Sequence, residues 1–148
     1  MITPATTAVF DVFVPGRPAP QGSKDYKGHR RNSAGISVPI LLESSERVKP
    51  WRRRIAEVAA LAWRRPVLDE PLGIHCDFVM CRPARTPSKT PPAIKRNGDG
   101  DKLTRAVWDG LTGVVVREDC LFVQWSGTKR TAERGEQSGC RIRIWRVT

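Results

Sequence analysis

Two stretches with a helical apolar period, set among short runs of β-type alternation, narrow the folds open to this chain more than any other feature. Trp51, Ile55, Val58, Ala59 and Ala62 recur at the spacing of about 3.6 residues that places them on one helix face. Ser44 or Ser45 stands ahead of that helix as a cap. Arg64-Arg65 follow where the helix dipole favours cations, and Pro66 stops the run. Lys102 to Thr112 reads as a second helix, with Leu103, Ala106, Val107, Gly110 and Leu111 on one side. Five segments read as strands: Val9 to Val14, Ile36 to Leu42, Gly73 to Arg82, Leu121 to Trp125 and Cys140 to Val147. Pro39 favours an edge position for the second of them. The last two read as a closing pair joined by a polar, Gly-containing loop. The order β-β-α-β-α-β-β implies one α/β domain of the α+β kind, residues 1–148. Two main helices would cover a mixed, mostly antiparallel sheet.

Between these elements lie two stretches rich in Pro, Gly and positive charge, about 16–35 and 83–98, both read as exposed loops. They carry Lys24, Lys27, Arg30 and Arg31 on the first and Lys89, Lys95 and Arg96 on the second. The whole chain has 26 Lys and Arg against 15 Asp and Glu, a net charge of +11. Such an excess calls for an anionic partner, and a nucleic-acid backbone is the first candidate. No apolar run reaches the roughly eighteen residues of a membrane helix. The first residues lack the basic and apolar regions of a signal peptide, so a cytoplasmic location without membrane contact is expected. Cys76, Cys81, Cys120 and Cys140 are scattered without metal-ligand spacing and read as reduced thiols. His29 falls in the first loop and His75 on a strand, each an ordinary residue of its segment rather than a ligand.

Inside this basic chain, acids collect in one place. Asp99, Asp101, Asp109, Glu118 and Asp119 all fall in the stretch that follows Lys95-Arg96. At about 100° per residue, Asp101, Arg105 and Asp109 share one helix face, opposite the apolar one. Trp108 falls beside them, where it can meet DNA or a second subunit. Asp101 can cap the helix. Glu118-Asp119 arrives a short turn later, where docking of the helix on a sheet would return it beside Asp99 and Asp101. Carboxylates brought together repel unless a cation neutralises them, and hard oxygen ligands suit Mg²⁺ or Mn²⁺. Such an ion on a phosphate-binding protein suggests phosphodiester cleavage. Asp-x-Asp also serves as a plain helix cap, and Glu-Asp as a surface turn; the residues by themselves leave both readings open. A calcium loop of the EF-hand type fails, because Leu103 occupies the next alternate position after Asp99 and Asp101.

The stretch Gly98 to Gln124, GDGDKLTRAVWDGLTGVVVREDCLFVQ, resembles the signature of the RusA family of Holliday junction resolvases, found in bacteria and their phages. That signature has an Asp-x-Asp-Asn, a Lys four residues after the second Asp, an Asp four further on, and a later Asp-Asp. Asp99, Asp101, Asp109 and Glu118-Asp119 match it here. Phe13 to Lys24 and Ser45 to Ala59 also resemble phage members. The resemblance implies a homodimer that binds four-way DNA junctions and nicks two opposing strands symmetrically with Mg²⁺ or Mn²⁺. It implies Asp99, Asp101 and Asp119 as metal-binding carboxylates, with Glu118 in support and Asp109 as the helix acid. Three positions depart from the family. Arg105 replaces the Lys, Lys102 the Asn, and Glu118 the first late Asp. An Arg cannot give up a proton at working pH, but it can clamp a phosphate. Lys102 then joins the basic residues available to DNA. A branched-DNA-binding module without activity, and a basic nucleic-acid-coating protein, are the alternatives.

Overall fold

The computed structural model describes residues 7–22, 24–31, 33–43, 46–85, 88–94 and 98–147, with no side chains described at 24–30 and 37–43. Strand β1 spans Phe10–Pro15, β2 Lys24–Arg31 and β3 Ser37–Glu43, followed by helix α1, Val48–Ala62. Then come β4 at Leu72–Met80, α2 at Gly100–Leu111, a 3₁₀ turn at Asp119–Leu121, β5 at Phe122–Thr131 and β6 at Gly139–Arg146. Four strands form one sheet in the order β1-β6-β4-β5, while β2 and β3 form a separate hairpin. This is the α+β class expected, with one strand more than the sequence pattern gave.

That extra strand is β2, inside the segment read as a loop. Its sequence, KDYKGHRR, has no alternation of apolar and polar residues. Pairing with β3 across a turn closed by an Arg31 Nη1 bond to the Gly35 carbonyl (2.9 Å) makes it a strand nonetheless. Context of this kind regularly overrides strand propensity. His29 is therefore a strand residue. Pro39 does lie on an edge, since β3 pairs with β2 alone in its hairpin.

The last two strands are not neighbours. α2 carries the chain back over the sheet, so β5 returns parallel to β4, as a crossover connection requires. β6 then inserts between β1 and β4, antiparallel to both. On β4 the sequence alternation holds: Ile74, Cys76, Phe78 and Met80 are buried, and His75 and Asp77 are partly open. Both helices pack their apolar stripes into the same core as those residues, α1 through Val48, Trp51, Ile55 and Ala59. Trp63 is also buried, at the end of α1. The opposite sheet face is largely polar, with Trp145 and Val79 as its buried apolar residues. There Asp77 accepts from Thr128 (2.6 Å), His75 (2.8 Å) and Arg143 (3.2 Å), and Asp11 pairs with Arg141 (2.8 Å).

Two cap assignments change. Arg47, not a serine, is the N-cap residue of α1, and it makes no side-chain cap bond; Ser44 and Ser45 lie outside the described residues. Pro50 sits in the first turn, where its missing N–H removes no helical bond. α2 begins two residues earlier than the pattern implied. Asp99 is its N-cap residue, and Asp101 lies in its first turn. All four cysteines are free, Cys76 and Cys140 buried and Cys120 exposed. Among the described residues no helix is long and apolar enough to cross a membrane.

Candidate active site

The entry to α2 is held from two directions. Gly98 has φ +89°, a left-handed conformation that glycine adopts freely, and a Cβ there would lie 2.9 Å from the Pro20 ring. Gln21 N–H donates to the Lys102 carbonyl (3.0 Å), and Lys129 Nζ donates to the Gly98 carbonyl (2.6 Å). The Leu103 N–H closes the first helical bond on the Asp99 carbonyl (2.9 Å). The segment that carries Asp99 and Asp101 is thus pinned both to the chain after β1 and to β5.

From that entry, the polar face of α2 borders a cavity of about 750 Å³. Asp101, Arg105, Trp108 and Asp109 line its helix side; Asp119 and Cys120 come from the 3₁₀ turn. Phe122, Trp125 and Lys129 of β5, with Phe78 of β4, complete the opposite wall. The expected shared face of Asp101, Arg105 and Asp109 is there, and the chain does return Asp119 to it. A second cavity of about 710 Å³ adjoins the first across Asp109 and Asp119, and Glu118, Arg52 and Arg53 line it. Glu118 therefore opens onto the neighbouring space, and Cys120 Sγ lies 3.4 Å from its carboxylate. Asp99 is exposed at the helix entry and lines neither cavity.

Asp109 is the electrostatic junction of the two cavities. Burial raises its carboxyl above the ordinary carboxylate value, and the negative charge of Asp119 adds to this. Arg52, whose Nη1 lies 3.7 Å from the carboxylate, and Arg105 pull the other way. Arg52 is itself oriented by a 2.6 Å bond to Gln21 Oε1. The site thus couples α1, α2, the 3₁₀ turn and β5 through charged side chains.

Lys129 and Arg52 were not legible as site residues. The one signal for Lys129 is its place on the strand face of Trp125 by the period of two; both line the cavity, as do the three residues between them. Arg52 had no such signal, because its contact with Asp109 crosses between helices. Of the basic residues singled out for DNA, Arg31, Lys89 and the partly open Lys102 lie at the surface. Lys24, Lys27 and Arg30 belong to β2, and Lys95 and Arg96 lie outside the described residues.

The carboxylates around the cavity are hard oxygen donors of the kind Mg²⁺ and Mn²⁺ take. Among the described residues no three His, Cys, Asp or Glu side chains gather into a ready-made cage. Magnesium commonly keeps several waters and takes one or two carboxylates together with substrate phosphate oxygens. The donor set fits such an ion in kind, and a cation would relieve the repulsion of Asp109 by Asp119.

A family model described as Endodeoxyribonuclease RusA matches residues 15–144. No curated protein matches the chain. The matched span takes in α2, the 3₁₀ turn, β4 and β5, every element that lines the first cavity, and α1 beside it, and the chain belongs to the RusA family of endodeoxyribonucleases.

Proposed function

We propose that the protein is a metal-dependent endonuclease that resolves four-way DNA junctions by paired, symmetric nicks in the cytoplasm. What supports this most is the meeting of Asp101, Asp109 and Asp119 with the cations Arg105 and Lys129 around one cavity, in a chain of this family. Asp101 and Asp119 would hold Mg²⁺ or Mn²⁺, joined by Asp99 at the entry of α2 and Glu118 of the adjoining cavity, with Asp109 in support. When bound, the ion would activate a water and stabilise the departing oxygen.

The chain's own residues orient the substrate. Arg105 clamps the scissile phosphate with its planar fork, a role that needs no proton transfer. Lys129 adds a second cation on the opposite wall and holds the entry of α2. Arg31, Lys89 and Lys102, with Lys24, Lys27, Arg30, Lys95 and Arg96 of the same basic stretches, bind phosphates along the arms and supply salt-dependent affinity. Two opposing cuts need two reaction centres, which a symmetric homodimer provides.

The test is cleavage of a synthetic four-way junction and of a linear duplex of matching sequence, each with Mg²⁺, with Mn²⁺ and with chelator. Paired nicks in the junction alone, dependent on metal, are expected. Tight junction binding without a cut in either metal would make the protein a binding module. Equal binding of junction and duplex would make it a coating protein.

A further inference from the structure

The aromatic wall of the cavity has no part in metal binding or in holding phosphate. Trp125 is 62% exposed at the cavity, on a strand where an apolar ring gains by burial. Behind it Trp108 stands edge-to-face, with ring centroids 6.0 Å apart and planes at 77°. Trp108 in turn leans on Phe122 at 5.1 Å, and Phe78 adds to the same lining. The ring is thus backed by packed aromatics, largely exposed, and shares the cavity with Asp101, Asp109, Asp119 and Arg105.

The chemistry of an occupant follows from these neighbours. A phosphate can take a hydrogen bond from the indole N–H at the ring edge but gains nothing from the ring face, and a sugar has no π-face to offer. A nucleobase is flat and stacks on an aromatic ring whatever its sequence. A cavity of about 750 Å³ has room for a whole nucleotide, its phosphate toward Arg105 and Lys129. Bases inside a continuous duplex are held in their stack, whereas at a branch point the stack is interrupted and a base leaves it at least cost.

We infer that Trp125 is the docking site for a nucleobase turned out of the stack beside the phosphate to be cut. Branched DNA is then selected inside the cavity by base capture, in addition to the shape fit of the basic surface. This rests on the nuclease reading above.

The experiment compares wild type, Trp125→Ala and Trp125→Phe on an intact junction and on junctions with one abasic nucleotide. The abasic nucleotide is placed in turn at each position flanking the cut, and sedimentation is run alongside. At one position, loss of the base slows wild type about ten-fold, and Trp125→Ala slows cutting of the intact junction about as much. In that variant the same abasic nucleotide adds less than about two-fold, because the two changes remove one contact. Trp125→Phe, which keeps a stacking face, recovers most of the loss. Wild-type cutting by Trp125→Ala, or losses that multiply at every position, overturns the inference and leaves the nuclease reading standing. A change of oligomeric state in Trp125→Ala overturns it too, by making the ring a subunit contact. If wild type cuts no junction, the nuclease reading falls and the inference with it.

Discussion

Lys129 reaches from β5 to the Gly98 carbonyl at 2.6 Å, and that bond joins the strand wall of the cavity to the start of α2. A charge-assisted bond of this kind contributes about 1.5–3 kcal/mol. Lys129→Ala is expected to lower stability within that range and to slow junction cutting more than it weakens junction binding, measured by thermal melting, timed cleavage and gel shift. Unchanged cutting would remove Lys129 from the site. At this scale, the sequence revealed what a single helix determines. Asp101, Arg105 and Asp109 were placed correctly on one face because period alone fixes their angles. Arg52 meets the site only across element boundaries, through a contact that no local pattern encodes, and Lys129 is marked only by the alternation of β5 beyond Trp125. The cap of α2 differs from the expected Asp101 beside a turn at Gly98 that lies too close to Pro20, well before it in the chain, to admit a side chain.

At the scale of elements, the site depends on how closely α1 and α2 approach. Gly110 faces Ile55, and a Cβ at that glycine would lie 2.8 Å from Ile55 Cγ2 and 3.2 Å from the Arg52 carbonyl. Gly110→Val is expected to cost about 3 kcal/mol by overpacking and to push α2, with Asp101 and Asp109, off the wall formed by β5. Denaturant unfolding reads the stability loss, and cleavage should fall with it even where the variant is still folded. A variant as stable and active as wild type would show that the helices can part at no cost. Strands were legible where one face is buried, as in the alternation of Ile74, Cys76, Phe78 and Met80. β2 was not, since its charged residues form a strand only through β3. The insertion of β6 between β1 and β4 is a matter of topology, which alternation along one strand leaves open.

The whole molecule has a net charge of +11, and many of its acids are held in ordered ion pairs with its excess of Arg. Glu136 accepts two bonds from Arg130 at 2.6 Å and is held down at about 2. Asp11 lies below its ordinary value through its bond to Arg141. Burial pushes Asp77 up, but Thr128, His75 and Arg143 together more than offset it and leave it lowered. Each of these groups is more acidic folded than unfolded, so in acid the unfolded chain binds more protons. Their stabilisation is complete above the ordinary values of 3.8 and 4.5 and is lost as pH falls through the lowered ones. Asp109, which is raised, gives the opposite slope as one group against three. A melting temperature nearly level from neutral pH to about 5 and falling steeply below about 4 is expected. Exposed pairs such as Arg130–Glu136 should contribute less in high salt. A melting temperature that rises on acidification would contradict this balance.

The central claim is that the carboxylates around the α2–β5 cavity cut the DNA that the basic surface holds. Asp101→Asn tests it most directly, with cleavage in Mg²⁺ and junction affinity in chelator measured on the same preparation. Cutting should be abolished, with affinity kept or increased because one negative charge facing phosphate is gone. Full cutting by Asp101→Asn, or a loss of affinity as large as the loss of cutting, would contradict the claim and leave Asp101 as a structural residue of the helix entry.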